Sequence, residues 1–401
     1  MRILINDFGG YPFPIQLSRY LAVKGFTVVH TYISNIKTPH GNMTNLTNEI
    51  GNLKIVPIRL KKEFNKYSFI GRYKGELDFS NQMYQVIADF KPDILISANT
   101  PLMAQTRLQK QCKKENIKFI YWCQDIHSIA IQSFFEKRKF FFGKFLVKYF
   151  TNREIKLLKN SDHVIAISNE FNVIFKQWGI SESAISVIQN WGPLAEITVQ
   201  PKFNPWSEKH KIDSKIVVLY SGTLGLKHNP MLIAEASSRF KHNTDVVFVV
   251  ISEGMGASLL QEQIAQKQLN NLIVLPYQDY NFLSQVLGSA DILLSILEKD
   301  AALFSVPSKV LTYLCAKKPL LLSVPTTNLS AKIVLKANAG LCAEPDDFEG
   351  FFTKLSQLID DQKLRITLSE NGRRYAENNF EISSVSKSFL KVINNLIVDN
   401  A

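Results

Sequence analysis

Cysteine is scarce and unpatterned in this sequence. Cys112, Cys123, Cys315 and Cys342 are the only four, none spaced C-x-x-C, and each lies in a segment that reads as helix or buried strand. Zinc sites and disulfide frameworks are therefore not expected, and a reducing cytoplasm is the simplest setting. Long hydrophobic runs are also lacking: 246–251 and 292–297 fall far short of the roughly 20 residues that span a bilayer. Only Arg2 precedes a short apolar strand at the start, with no small-residue cleavage pattern after it, so no signal peptide is read. Neither a G-x-G-x-x-G fingerprint nor a G-x-x-x-x-G-K-[ST] loop follows the first strand, which argues against dehydrogenases and P-loop enzymes. The seven histidines are scattered, without H-E-x-x-H or triad spacing, and neither metal hydrolysis nor a serine nucleophile is expected. His163 alternates with apolar residues and reads as a satisfied, partly buried histidine.

What the chain has in excess is positive charge and apolar bulk. Its net charge is +12, with 46% hydrophobic and 20% charged residues over 401 positions. That composition can bury a sizeable core, and the length exceeds what one core usually serves, so two domains are expected. Residues 134–160 hold eight Lys/Arg against Glu136 and Glu154, 8 − 2 = +6, interleaved with Phe134, Phe135, Phe140, Phe141, Phe142, Phe145, Tyr149 and Phe150. A helix here could set rings among lipid headgroups and lysines against anionic lipid; alternatively the rings pack inward and the lysines are solvated. Nucleic acid is not expected, since no aromatic strand platform or known motif accompanies the charge.

Along the chain, short apolar strands alternate with amphipathic helices. Strands are read at 2–6, 26–33, 53–58, 93–97, 118–121, 163–167 and 184–188, with helices ending at 25 and spanning 79–90, 102–115 and 170–178, and a loop at 124–128. A turn-rich stretch, 191–214, reads as a linker. A second series follows, with strands at 216–220, 245–250, 272–275, 291–296, 320–322 and 340–343, and helices between and after them. The expectation is an α/β protein of two Rossmann-like domains with mainly parallel sheets and right-handed crossovers. The boundaries are 1–190, an acceptor-binding domain; 191–214, the linker; 215–378, a nucleotide-sugar domain; and 379–401, a C-terminal helix that can pack back on the first domain.

In such sheets ligands bind beyond the carboxyl ends of strands. In the first domain this singles out Gly9 and Gly10, which permit close backbone approach, and the run Gln124-Asp125-Ile126-His127, in which Asp125 and His127 could grip sugar hydroxyls or orient an acceptor. In the second it singles out three segments. The run 221–227, SGTLGLK, brings Gly222, Thr223 and Lys227; EGMG brings Glu253, Gly254 and Gly256; PSK brings Pro307, Ser308 and Lys309 ahead of Thr312. Lysine beside the positive end of a helix is disfavoured unless an anion is shared, so Lys227 and Lys309 read either as diphosphate contacts or as solvated surface charges.

At these residues the sequence resembles family 4 of the retaining glycosyltransferases, of the GT-B fold with two domains facing a cleft. The resemblance runs from Gly9-Gly10 through the KPD before Ile94, Gln124-Asp125, Glu154 to Ser168, Asn190-Trp191, SGTLGLK, EGMG and Ala290-Asp291 to PSKVLTY. It looks closest to colanic-acid and O-antigen fucosyl- or N-acetyl-L-fucosaminyltransferases. The resemblance implies a UDP- or GDP-linked sugar held mainly by the second domain, a polyprenyl-diphosphate-linked saccharide acceptor on the first, and retention at the anomeric carbon. It also implies no cofactor, no required metal, and a cytoplasmic protein peripheral at the inner membrane face. Lys227 is similar to the family's diphosphate lysine, whereas its neighbouring arginine falls at Thr223, and two family glutamates fall at Phe304 and Thr312. An epimerase acting on nucleotide sugars, or a non-catalytic binder of them, is the rival reading.

Overall fold

The computed structural model describes residues 1–36, 38, 40–44, 51–62, 64, 68–138 and 143–398. The chain divides into two compact units, one of Met1–Asn190 with Ile382–Ala401, the other of Trp191–Glu381.

The first unit is a seven-stranded parallel sheet. Its strands are β1 (Arg2–Asp7), β2 (Thr27–Ile33), β3 (Leu53–Ile58), β4 (Ile94–Ala98), β5 (Lys118–Cys123), β6 (His163–Ala166) and β7 (Ile185–Val187), in the order β3-β2-β1-β4-β5-β6-β7. β4 is buried at every position, and β1 and β5 at all but their first, which is why they read as unbroken apolar runs rather than alternating ones. The order reverses between β1 and β4, so the loops after Asp7 and Ala98 flank the point where a doubly wound sheet opens for a ligand.

The second unit repeats the plan with six parallel strands: β8 (Ile216–Ser221), β9 (Val246–Ile251), β10 (Leu272–Leu275), β11 (Ile292–Ile296), β12 (Leu320–Ser323) and β13 (Gly340–Ala343), ordered β10-β9-β8-β11-β12-β13. Its switch point lies between β8 and β11. One core face buries Val218, Tyr220, Phe248 and Leu294 with Phe351 and Leu355 of the helix Phe348–Asp360.

Element ends differ from the sequence reading in places that have physical causes. The helix read at 79–90 begins ten residues earlier, at Phe69, because the Ser68 hydroxyl accepts from the Gly71 amide and starts it there; Gly71 and Gly75 had hidden that turn. The 124–128 loop ends sooner, since His127 and Ser128 already open the helix His127–Arg138. The basic stretch forms this helix and a second, Gly143–Lys159; Lys139, Phe140, Phe141 and Phe142 lie outside the described residues.

Residues 191–214, read as a linker, fold within the second unit. Asn204 caps the short helix Pro205–Lys209 and donates to the Gln285 carbonyl at 3.1 Å, while buried Trp206 donates to Gln278 Oε1 at 3.1 Å. The C-terminal helix Ile382–Val398 belongs to the first unit, its Phe389, Val392 and Ile393 buried on one stripe. Phe389 meets Trp122 of β5 edge-on, ring centroids 4.8 Å apart.

Phe389→Ala therefore opens a cavity against Trp122 and is expected to cost the first unit about 3–5 kcal/mol. Hydrogen exchange of the β5 amides in native conditions measures it; protection equal to wild type would show that the helix does not hold this layer.

Candidate functional site

Each unit carries its polar side chains at the carboxyl ends of its central strands, and the two sets are described separately.

In the first unit β1 ends on Asp7, a carboxylate with no exposed surface. Its oxygens accept from the Tyr11 amide and, at 2.7 Å, from Asn99 Nδ2, which comes from the loop after β4. The Gly9 and Gly10 amides add further stabilisation. Burial nevertheless outweighs these donors and raises the Asp7 pKa to about 7. The glycine loop's amides thus face an internal carboxylate, while the Gly9 carbonyl accepts from Thr38 and the Gly10 carbonyl from the Gly41 amide. Asp7 was missed in the sequence, where its one signal is an acid closing an apolar strand before two glycines.

Gln124 and Asn190 exchange side-chain hydrogen bonds, joining the ends of β5 and β7. His127 places its ring Nε2 3.0 Å from the Thr100 carbonyl, which fixes the proton on that nitrogen and leaves Nδ1 as the acceptor in the neutral ring. Its amide and that of Ser128 donate to the two oxygens of Glu154 at 2.9 and 2.7 Å. Glu154 is fully buried and caps the helix that carries His127, a partnership 27 residues apart that no local pattern announces. Asp125 is half-buried in the same turn, its carbonyl near the Cys123 thiol.

In the second unit the loops after β8 and β11 bring the two expected lysines together. Gly222 has φ +127°, a left-handed conformation that glycine adopts without strain, and a side chain there would meet Lys309 Cε and Nζ at 3.4 Å. Lys309 opens the helix Lys309–Cys315 just after Pro307 and Ser308, with Thr312 half-buried further along. The residue as a whole is half-buried, but its Nζ is fully covered and has no hydrogen-bond acceptor among the described residues. It lies 3.5 Å from the centroid of the Tyr220 ring. Burial, reinforced by the charge of Lys227, pushes the Lys309 pKa well below the ordinary lysine range.

Lys227, in the short turn Leu226–His228, donates to Ser305 Oγ at 2.8 Å and stands 5.8 Å from the Phe304 ring. Its carbonyl accepts from the Glu298 amide at 2.9 Å, so the turn is pinned to the loop after β11 from both ends of the residue. Among the described residues no carboxylate pairs with either lysine. Three residues that the sequence did not single out build this place: Tyr313, whose hydroxyl donates to the Ser221 carbonyl and accepts from its amide; His228, whose Nδ1 accepts from the Gly225 amide; and Ser305.

The remaining predicted residues line the neighbouring loops. The Thr223 carbonyl accepts from Tyr220 Oη at 2.7 Å, and Tyr277 Oη reaches Thr223 Oγ1 at 3.3 Å. Glu253 accepts from the Tyr277 amide at 3.2 Å and so links the loops after β9 and β10. Gly254 is exposed with open space beside it, whereas a Cβ on Gly256 would meet the Leu224 carbonyl oxygen at 2.0 Å. Gly256 therefore serves close packing of the helix Met255–Lys267 on the 222–225 turn. Among the described residues no cluster of His, Cys, Asp or Glu could hold a metal ion.

Comparison with known proteins agrees with this layout. Residues 15–192 match the Glycosyltransferase Family 4 model, and residues 202–375 match that of Glycosyl transferases group 1. The chain belongs to these glycosyltransferases. It is 23% identical over 308 residues to WcaI of Escherichia coli K12, described as a colanic acid biosynthesis glycosyl transferase, covering 76% of this chain and 74% of that one. Among solved structures, Anabaena HepE in complex with UDP-glucose superposes with a TM-score of 0.73 at 13% identity over 98% of this chain and 100% of its own. Sucrose-phosphate synthase of Thermosynechococcus elongatus gives 0.76 at 13% identity, with complete coverage of both chains. The fold of this glycosyltransferase is GT-B, with both units Rossmann-like.

The fully buried Asp7 gives a pH signature. Its folded pKa of about 7 exceeds the ordinary 3.8, so the folded chain holds a proton that the unfolded chain has lost. Wild type should gain stability over Asp7→Asn by about 1.4 kcal/mol per pH unit as pH falls from about 7 to 4, and nothing further below. Urea unfolding at half-unit pH steps reads this difference; a constant offset between the two proteins would refute the buried titration.

Proposed function

We propose that the protein transfers a sugar from a nucleoside diphosphate donor to a lipid-linked saccharide during surface polysaccharide synthesis, with retention of anomeric configuration. The observation that carries this is the pair Lys227 and Lys309, gathered at the switch point of the second unit with no carboxylate among the described residues to neutralise them. An arrangement of that kind suits a ligand bearing concentrated negative charge. The UDP-glucose bound by HepE and the colanic acid assignment of WcaI support the donor class and the pathway.

In such a transfer the donor's glycosidic bond to the diphosphate breaks while positive charge grows at the anomeric carbon. Two ammonium groups near the departing oxygens stabilise the developing dianion more than the bound donor. The leaving oxygen can itself accept the proton of the attacking hydroxyl on the same face, so no covalent nucleophile is required of the protein. Thr223 and Gly254, with the backbone of Gly222, Pro307 and Ser308 and the hydroxyl of Thr312, supply uncharged contacts for nucleoside and sugar, and the Glu253 side chain offers oxygens to their hydroxyls. In the first unit Asp125, Gln124 and His127 Nδ1 are the groups offered to the acceptor, beside Gly9 and Gly10.

The acceptor's lipid gives the basic helix a role. Helix Gly143–Lys159 exposes Lys144, Lys148, Lys156 and Lys159 together with Phe145 and Tyr149, the phenyl ring at 74% exposure, while Phe135 of the preceding helix is buried. Cations and rings on one exposed face suit an anionic lipid surface, each cation adding about 1 kcal/mol. No helix among the described residues is long and apolar enough to cross a membrane.

Donors including UDP-glucose, GDP-L-fucose and UDP-N-acetyl-L-fucosamine, offered with undecaprenyl-diphosphate saccharides, should yield a product whose mass and anomeric NMR identify sugar and linkage. Nucleotide binding without transfer to any acceptor would make the protein a binder, and interconversion of donors without acceptor would make it an epimerase. With the productive pair, Lys227→Ala and Lys309→Ala are each expected to lower turnover about 10²–10³-fold; wild-type kinetics from a folded variant would remove that lysine from the site. Sedimentation with phosphatidylglycerol vesicles should fall with added salt and with Phe145→Ser/Tyr149→Ser. Absence of binding at low salt would exclude the lipid surface.

A further inference from the structure

Lys309 is placed oddly for a surface cation that waits for a ligand. Its Nζ is covered, rests on the Tyr220 ring beneath the Gly222 turn, and has no acceptor among the described residues. The groups around it are uncharged or positive. Tyr220 of β8 is fully buried with its hydroxyl committed to the Thr223 carbonyl; Tyr313, one turn on along the same helix, has its hydroxyl committed to Ser221; Tyr277, after β10, is engaged with Thr223; Lys227 is the neighbouring cation. Burial holds the three phenols toward their neutral form, and burial with the charge of Lys227 does the same for the Lys309 amine.

We infer that Lys309 is stowed on Tyr220 as a neutral amine in the ligand-free protein and takes up a proton as it engages a nucleoside diphosphate. The inference rests on the diphosphate reading above and adds a proton to its binding equilibrium. The balance is simple: one proton moves from solvent to Nζ, no other bond is made or broken, and a lone pair that had no partner becomes an ammonium donating to phosphate oxygen. The design has a physical logic. A permanently charged, acceptor-less ammonium beside a second one would strain the empty site, whereas a neutral amine on an aromatic face costs little and becomes charged only when the counter-ion arrives. Gly222 lies against the stowed amine in a left-handed conformation, φ +127°, that a side chain would strain, although a Cβ there would make only ordinary contact with Cε and Nζ at 3.4 Å.

The test is calorimetric titration of the full chain with UDP, and in parallel GDP, between pH 8 and 9, where the nucleotide phosphates are fully ionised. Tris and HEPES, which differ in ionisation enthalpy, are used at matched ionic strength. Wild type is expected to show a binding heat that differs between the two buffers by the equivalent of up to one proton taken up per nucleotide. Lys309→Met should bind about 10- to 100-fold more weakly with no buffer dependence. Lys309→Arg, which cannot be neutral, should bind without uptake. Equal heats for wild type in the two buffers, or uptake that persists in Lys309→Met, would overturn the inference while leaving the diphosphate reading in place. Failure of wild type to bind either nucleotide would overturn both.

Discussion

Two lysine amines brought together with no carboxylate against either among the described residues are the constraint around which this end of the second unit is arranged. Burial and the charge of Lys227 both disfavour an ammonium at Lys309, and the fold meets that cost with contacts of its own. Here the compensation is visible: the Tyr220 face under Lys309, the Ser305 hydroxyl on Lys227, and the left-handed Gly222 turn beside the amine. Tyr313 clamps both the amide and the carbonyl of Ser221, so the turn leaving β8 is fixed just where Gly222 must bend.

The first unit presents the opposite arrangement at its own switch point. Asp7 is a buried carboxylate that receives the loop amides and Asn99, so the amides which in many Rossmann-like domains meet a phosphate are directed inward. That assigns the units different chemistry on the same topology. In the proposed function the second unit meets the diphosphate with lysine side chains, and the first offers neutral hydrogen-bonding groups suited to hydroxyls. It also explains why the Gly9-Gly10 turn lacks the phosphate fingerprint while keeping the geometry of a strand-to-helix turn.

Much of the fold was legible because parallel strands buried on both faces leave unbroken apolar runs, and β1, β4, β9 and β11 are such runs. Lys227 and Lys309 were legible for a related reason: topology alone places loops after adjacent central strands side by side. What remained hidden depends on contacts remote in sequence. Glu154 reaches the His127 turn across a helix, Asn99 reaches Asp7 from another strand, and Ser305 reaches Lys227 across 78 residues. The turn-rich stretch 191–214 shows the complementary limit, since Trp206 and Asn204 gain their partners only from the folded second unit, and nothing in their local pattern shows that.

The departures from the family pattern then make electrostatic sense together. On the resemblance to family 4 an arginine would fall at Thr223, and its absence alone would weaken the proposed grip on a diphosphate. The same resemblance would put acids at Phe304 and Thr312, and their absence removes two negative groups against one positive one. Phe304 is buried and lies 5.8 Å from the Lys227 ammonium, so this lysine faces a ring rather than a carboxylate that would compete with phosphate for it. Thr223 in turn is drawn into a hydrogen-bonded set, its carbonyl accepting from Tyr220 and its hydroxyl meeting that of Tyr277. On that resemblance the three positions leave Lys227 and Lys309 with no acid against them among the described residues, which is the condition under which, in the proposed site, a single buried amine can govern how the anion is held.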